Sequence, residues 1–175
     1  MIKKILTLFL LLIFIITILT NKSEALIIPQ EALRIRVIAN SNNPKDQFIK
    51  EQVVNTLKED LYSKLKDAKS VSEAHITILN NMDNIKTNVN KTLINYEITP
   101  DFRVDLGKNY FPKKEYKGVT YEEGYYESLV VTLGRGEGNN FWCVLFPPLC
   151  LLEAEESNEV EYKFLVSELI SKLLN

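Results

Sequence analysis

Seventeen residues, Gly134 to Cys150, hold three glycines, the only tryptophan, a proline pair and both cysteines of the chain. Gly134-Arg135-Gly136-Glu137-Gly138-Asn139-Asn140 runs directly into Phe141-Trp142-Cys143-Val144-Leu145-Phe146-Pro147-Pro148-Leu149-Cys150. The first half is too rich in glycine for a regular element and the second too apolar for a loop, so a turn must feed a buried strand here. Tyr125 to Leu133, just before it, is the longest of the short strand-like runs after Phe111, and the glycines predict a long antiparallel hairpin joining it to Asn140–Phe146. A phosphate loop is excluded by context. The G-x-G-x-G is followed by an aromatic strand and not by a helix whose N-terminus could hold an anion.

The other end of the chain is addressed to a membrane. Lys3 and Lys4 precede Ile5 to Thr20, sixteen residues without a charge. That length lies between a signal-peptide core and the ~20 residues of a bilayer span, and Ser23-Glu24-Ala25 offers small residues for cleavage after Ala25. Length and site favour cleavage over anchoring; either way the positive-inside rule sends residues 26–175 outward as one domain. Setting aside Lys3, Lys4, Lys22 and Glu24 leaves 18 basic against 22 acidic residues. A net negative domain is the wrong sign for a nucleic-acid surface.

Between these ends the chain reads as α+β: a mainly antiparallel sheet of short strands, two long helices after the first strand, and a C-terminal helix. Leu33, Ile35 and Val37 alternate with Arg34 and Arg36, the pattern of a half-buried strand. Asn43-Pro44 with Asp46 in the first turn starts a helix, and Ile49, Val53, Val54, Leu57, Leu61, Leu65 and Ala68 continue it for five turns. Ser70 or Ser72 caps a second helix carrying Ile76, Ile78, Leu79, Met82, Ile85, Val89 and Leu93, with six asparagines between Asn80 and Asn95. Apolar residues at even positions from Ile98 to Leu106 predict a strand over Tyr96–Leu106. Short strands follow at 111–116 and 118–121, and a final amphipathic helix runs from about Glu159 to Leu173.

Chemistry is sparse. His75 is the only histidine, and Ser41, Ser128 and Cys143 lack a motif-level base, so no catalytic constellation is expected. Two cysteines and one distant histidine are too few for a metal centre, and no cofactor motif is present. Cys143 and Cys150 enclose six residues in an exported protein: a disulfide, worth roughly 2.5 kcal/mol in the chain-entropy model, and two buried thiols both fit.

Leu33-Arg34-Ile35-Arg36-Val37-Ile38-Ala39-Asn40-Ser41 with Asp46-Gln47, Gly118-Val119 to Gly124-Tyr125-Tyr126-Glu127, and Asn140 through Cys150 together resemble the stage II sporulation protein R family over residues 30–153. Asn42, Glu122-Glu123 and Phe141 stand where the family often has Asp, Pro-Ala and a second Trp. The resemblance implies a signalling protein, secreted into the space between the forespore and mother-cell membranes. Its partner there would be the membrane-embedded aspartic protease that converts pro-sigma-E to sigma-E. The chain would then be ligand and not enzyme, with Arg34, Asn40, Ser41, Arg135, Glu137, Asn140 and Trp142 as the expected contact residues. A secreted envelope hydrolase and a structural envelope protein are the alternatives from the residues alone.

Overall fold

The structure, a computed structural model, describes residues 26–27, 31–99, 101–116, 119–147, 166–168 and 170–171. The leader, Cys150 and most of the expected C-terminal helix lie outside these residues. Strands β1 (Leu26–Ile27) and β2 (Leu33–Ile38) lead into helices α1 (Pro44–Leu65), α2 (Val71–Asn80) and α3 (Met82–Asn95). Strands β3 (Phe102–Phe111), β4 (Lys114–Tyr116), β5 (Val119–Tyr121), β6 (Gly124–Leu133) and β7 (Asn140–Phe146) follow. The fold is α+β, with a four-stranded sheet ordered β3-β6-β2-β7 and a small sheet ordered β1-β5-β4.

Helix α1 starts as its sequence dictates. Asn43 caps it by accepting from the Asp46 backbone N–H at 2.8 Å, and Pro44 occupies the first turn where a missing N–H costs nothing. Its stripe from Ile49 to Leu65 is buried against Leu33, Ile35 and Val37 of β2 and Leu129, Val131 and Leu133 of β6. The second expected helix is two. Asn81 donates its side-chain amide to Thr77 O at 2.8 Å and its backbone N–H to Ile78 O at 3.0 Å, replacing helical bonding with local bonds. The break resets the stripe: Ala74 and Ile78, then Ile85, Val89 and Leu93, face the core, while Ile76 and Leu79 are 55% and 57% exposed.

The expected strand over Tyr96–Leu106 begins later, at Phe102, and extends to Phe111. Residues 96–98 instead close α3: Glu97 takes φ 58°, and Ile98 N donates to Leu93 O at 2.9 Å. Ile98 is apolar because it packs against the helical core from that turn.

The expected hairpin is also corrected. Strands β6 and β7 do not pair; β2 lies between them, parallel to β6 (Arg34 opposite Ser128, Val37 opposite Val131) and antiparallel to β7 (Arg36 opposite Trp142). Stepping over one strand means crossing about 10 Å, which suits the six residues 134–139 better than a tight turn does. β6 also pairs along its whole length with β3, antiparallel, from Phe102–Leu133 to Phe111–Gly124.

The sheet is covered on both faces. Helices cover one. On the other, Ala32, Val119, Tyr121 and Val144 form a second cluster with Val166, one of the described helical residues near the C-terminus.

Candidate partner-binding surface

The end of β2 and the 134–139 connection are fastened together. Asn40 is the centre: its carbonyl accepts from Glu137 N at 3.1 Å, and its side-chain oxygen accepts from Arg135 N at 3.0 Å. Gly138 N donates to Ala39 O at 2.9 Å, and Asn139 N donates to Asn42 Oδ1 at 2.7 Å. Gly134 has φ +52°, open to glycine at no steric cost, and a Cβ on Gly138 would overlap the Ser41 carbonyl.

Beneath this clamp, Asp46 Oδ2 accepts from Ser41 Oγ at 2.6 Å, Asn40 Nδ2 at 2.8 Å and Asn43 Nδ2 at 3.0 Å. These bonds, Ser41's first, and the Lys45 charge outweigh desolvation and hold Asp46 below the usual carboxylate range. A carboxylate so stabilised is a poor proton acceptor, and Ser41 has committed its own proton to it. The cluster positions backbone; it does not activate a nucleophile. Ser128 is buried and accepts from Asn109 Nδ2 at 3.0 Å. A cleft of about 200 Å³ lies beside the cluster, lined in part by Asn40, Asp46, Asp101 and Gly134. It is smaller than the roughly 300 Å³ at which small-molecule sites begin.

On the sheet face away from the helices, Arg34 is 2% exposed, so it is not available as the surface contact expected of it. It alternates with core residues because β3, β5 and β6 supply a second interior. Its guanidinium carbon stands 4.2 Å from the Phe111 ring centre, 4.6 Å from Tyr126 and 5.6 Å from Tyr121. Burial lowers its pKa, with Tyr126 and Tyr121 opposing, and Nε and Nη1 have no hydrogen-bond partner.

Two residues along, Arg36 is half-buried and lies 4.4 Å over Trp142. With its amide oriented to satisfy both ends, Asn140 Oδ1 accepts from Arg36 Nη2 at 3.0 Å and Nε at 3.2 Å, and Nδ2 donates to Gly138 O at 3.2 Å. Phe111 meets Trp142 edge-on at 5.0 Å. A continuous stack therefore runs Arg34, Phe111, Trp142, Arg36. At the loop, exposed Arg135 and Glu137 pair with each other at 3.2 Å. Cys143 is disulfide-bonded and packs toward the helices; the chain has one other cysteine, Cys150.

The described parts of the sequence blocks 33–41 with 46–47, 118–127 and 140–150 thus fall on three adjacent strands, β6, β2 and β7, with residues 39–41 just past the end of the central one. Asp46 and Gln47 lie in the first turn of α1, and Val119–Tyr121 form β5 of the small sheet. The sequence model of the stage II sporulation protein R family matches residues 29–156, most of the chain. The chain belongs to the stage II sporulation protein R family. It is 34% identical over 141 residues to Stage II sporulation protein R of Bacillus subtilis (strain 168). The alignment covers 81% of this chain and 63% of that relative, so the chain spans less than two thirds of the relative's length. No solved structure matches it. In this stage II sporulation protein R member, the expected contact residues other than buried Arg34 separate into three settings. Asn40 and Ser41 build the clamp, Asn140 and Trp142 hold Arg36, and Arg135 and Glu137 stand exposed. Arg36 itself was legible as the partner of Arg34 in the alternation, but alternation alone does not say which arginine is covered.

Proposed function

We propose that this chain is an exported sporulation signal. It acts in the space between the forespore and mother-cell membranes by binding the extracytoplasmic part of the membrane-embedded aspartic protease that processes pro-sigma-E. Binding favours the active protease if the ligand holds that state more tightly than the inactive one. The observation that carries the reading is the setting of Ser41 and Asp46. The most reactive-looking polar cluster within the family blocks is spent on holding a loop, which is how a recognition surface is fixed and not how a hydrolase is primed.

The test is co-expression of the protease and pro-sigma-E in a heterologous host, with and without this chain. Cleavage that depends on the chain is the expected result. Equal cleavage in its absence would remove the proposal. Purified protein carrying Ser128→Ala separates ligand from enzyme, since a ligand keeps most of its signal while a hydrolase dependent on that hydroxyl loses turnover.

A further inference from the structure

Two cations lie on one face of β2, and neither has a carboxylate beside it among the described residues. Arg34 is buried with Nε and Nη1 unpartnered. Arg36 is lowered by burial alone, with no opposing charge. A desolvated arginine ordinarily sits with a carboxylate or phosphate, because the cost of leaving water is otherwise only partly returned. Among the described residues the counter-charge is missing, while the geometry to receive one is built. Trp142 supports the Arg36 guanidinium from one side, and Asn140 binds its Nε and one proton of Nη2. Among the described residues this leaves the Nη1/Nη2 edge, the edge that takes a carboxylate in two parallel hydrogen bonds.

We propose that the Arg36–Trp142–Asn140 surface is the recognition site for an acidic segment of the protein partner, with a Glu or Asp carboxylate seated bidentately on Arg36. The inference rests on the reading of the chain as a protein ligand and names the chemistry of its contact. Three features favour a protein carboxylate over an anionic membrane surface. The guanidinium is fixed in a plane by a ring and an amide, which rewards a planar acceptor. The half-buried Trp142 ring, backed by buried Phe111, offers apolar contact beside the charge. Beyond residue 25 the chain has 22 acidic against 18 basic residues, a balance that opposes approach to an anionic bilayer. Arg34, behind the stack, adds a second positive charge to the field that the carboxylate enters.

The chain contains one tryptophan, so its fluorescence reports this surface directly. Full-length chain in non-ionic detergent is titrated with a hexaglutamate peptide and, separately, with hexaglutamine. The wild type is expected to give a saturable change with hexaglutamate that weakens as salt rises, and none with hexaglutamine. Arg36→Lys keeps the charge but loses the fork, and should weaken the response by about fivefold or more. Arg36→Gln should abolish it, with urea melts checking that both variants fold; if Arg36→Gln does not, Arg36→Lys decides. A flat wild-type titration, or unchanged affinity in Arg36→Lys, overturns the proposal. So does a stronger response to soluble dihexanoyl phosphatidylglycerol than to the peptide. A response that appears only when Glu153, Glu155 and Glu156 are replaced by Gln also overturns it, since the occupant would then be the chain's own acids. The titration contains neither protease nor pro-sigma-E. Lost signalling with intact peptide binding therefore counts against the proposed function alone, and the converse counts against this site alone.

Discussion

Toward the helices, β2 presents Leu33, Ile35 and Val37; away from them it presents Arg34 and Arg36. The first set meets aliphatic side chains of α1 and β6 and is fully or almost fully buried, as hydrophobic burial requires. The second set meets aromatic rings, which cover the arginine stems and receive the cations on their π faces. One strand thus builds a conventional interior on one side and a charged, aromatic layer on the other. The former is the main hydrophobic core, and the latter carries the proposed partner contact.

That contrast can be broken from either side. The largest loss of stability is expected from Leu57→Ala, at a fully buried position of α1, costing about 3 kcal/mol in urea unfolding. A cost below about 1 kcal/mol would mean that the helical layer is not the main core. Next comes Gly138→Ala, whose added Cβ meets the Ser41 backbone and must force the clamp apart. About 2 kcal/mol is expected, with faster amide exchange at Glu137 and Gly138, whose N–H groups bond to β2's end.

Arg34→Met tests the opposite face, and its expected effect on stability is within about 1 kcal/mol of zero or stabilising. Methionine fills similar volume, and the change removes a desolvated cation with unpartnered donors. A loss of 3 kcal/mol or more would show that the aromatic cage holds the cation far better than its unpaired nitrogens imply. The smallest effect concerns acid. The folded pKa of Asp46 is depressed, so its contribution is complete above the unfolded value near pH 4 and is lost as pH falls toward the folded one. Asp46→Asn should therefore flatten the acid limb of a stability-against-pH curve below about pH 4 and leave its shape above pH 6 unchanged.

The same contrast explains what the chain disclosed before it was folded. Asn43, Pro44, Asp46 and the stripe of α1 follow from local rules: a cap, a fixed φ and a period of 3.6. The α+β class and the run of strands were legible for similar reasons. Three features were not, because each is decided by residues far away in sequence. The chain does not say locally that β2 inserts between β6 and β7, so the glycines read as a hairpin when they are a bridge across a strand end. Arginines alternating with aliphatic residues read as a solvated face, whereas Phe111, Tyr121 and Tyr126, more than 70 positions later, close around Arg34. Asn81 looked like one of many polar residues in a long helix, and its bond to Thr77 O makes it the break. Of the proposed contact surface, Trp142 and Asn140 stood out by composition, whereas Arg36 needed the register of β2 against β7 to bring it over the ring.

The proposed division assigns partner contact to the aromatic and arginine face and stability to the aliphatic face. It is tested most directly by pro-sigma-E cleavage in the co-expression host with Arg36→Gln, at limiting expression and normalised to folded chain. Loss of one charge-assisted contact, about 1.4 kcal/mol or more, predicts at least a tenfold drop in signal with the urea midpoint nearly unchanged. Wild-type cleavage by a folded Arg36→Gln chain would contradict it.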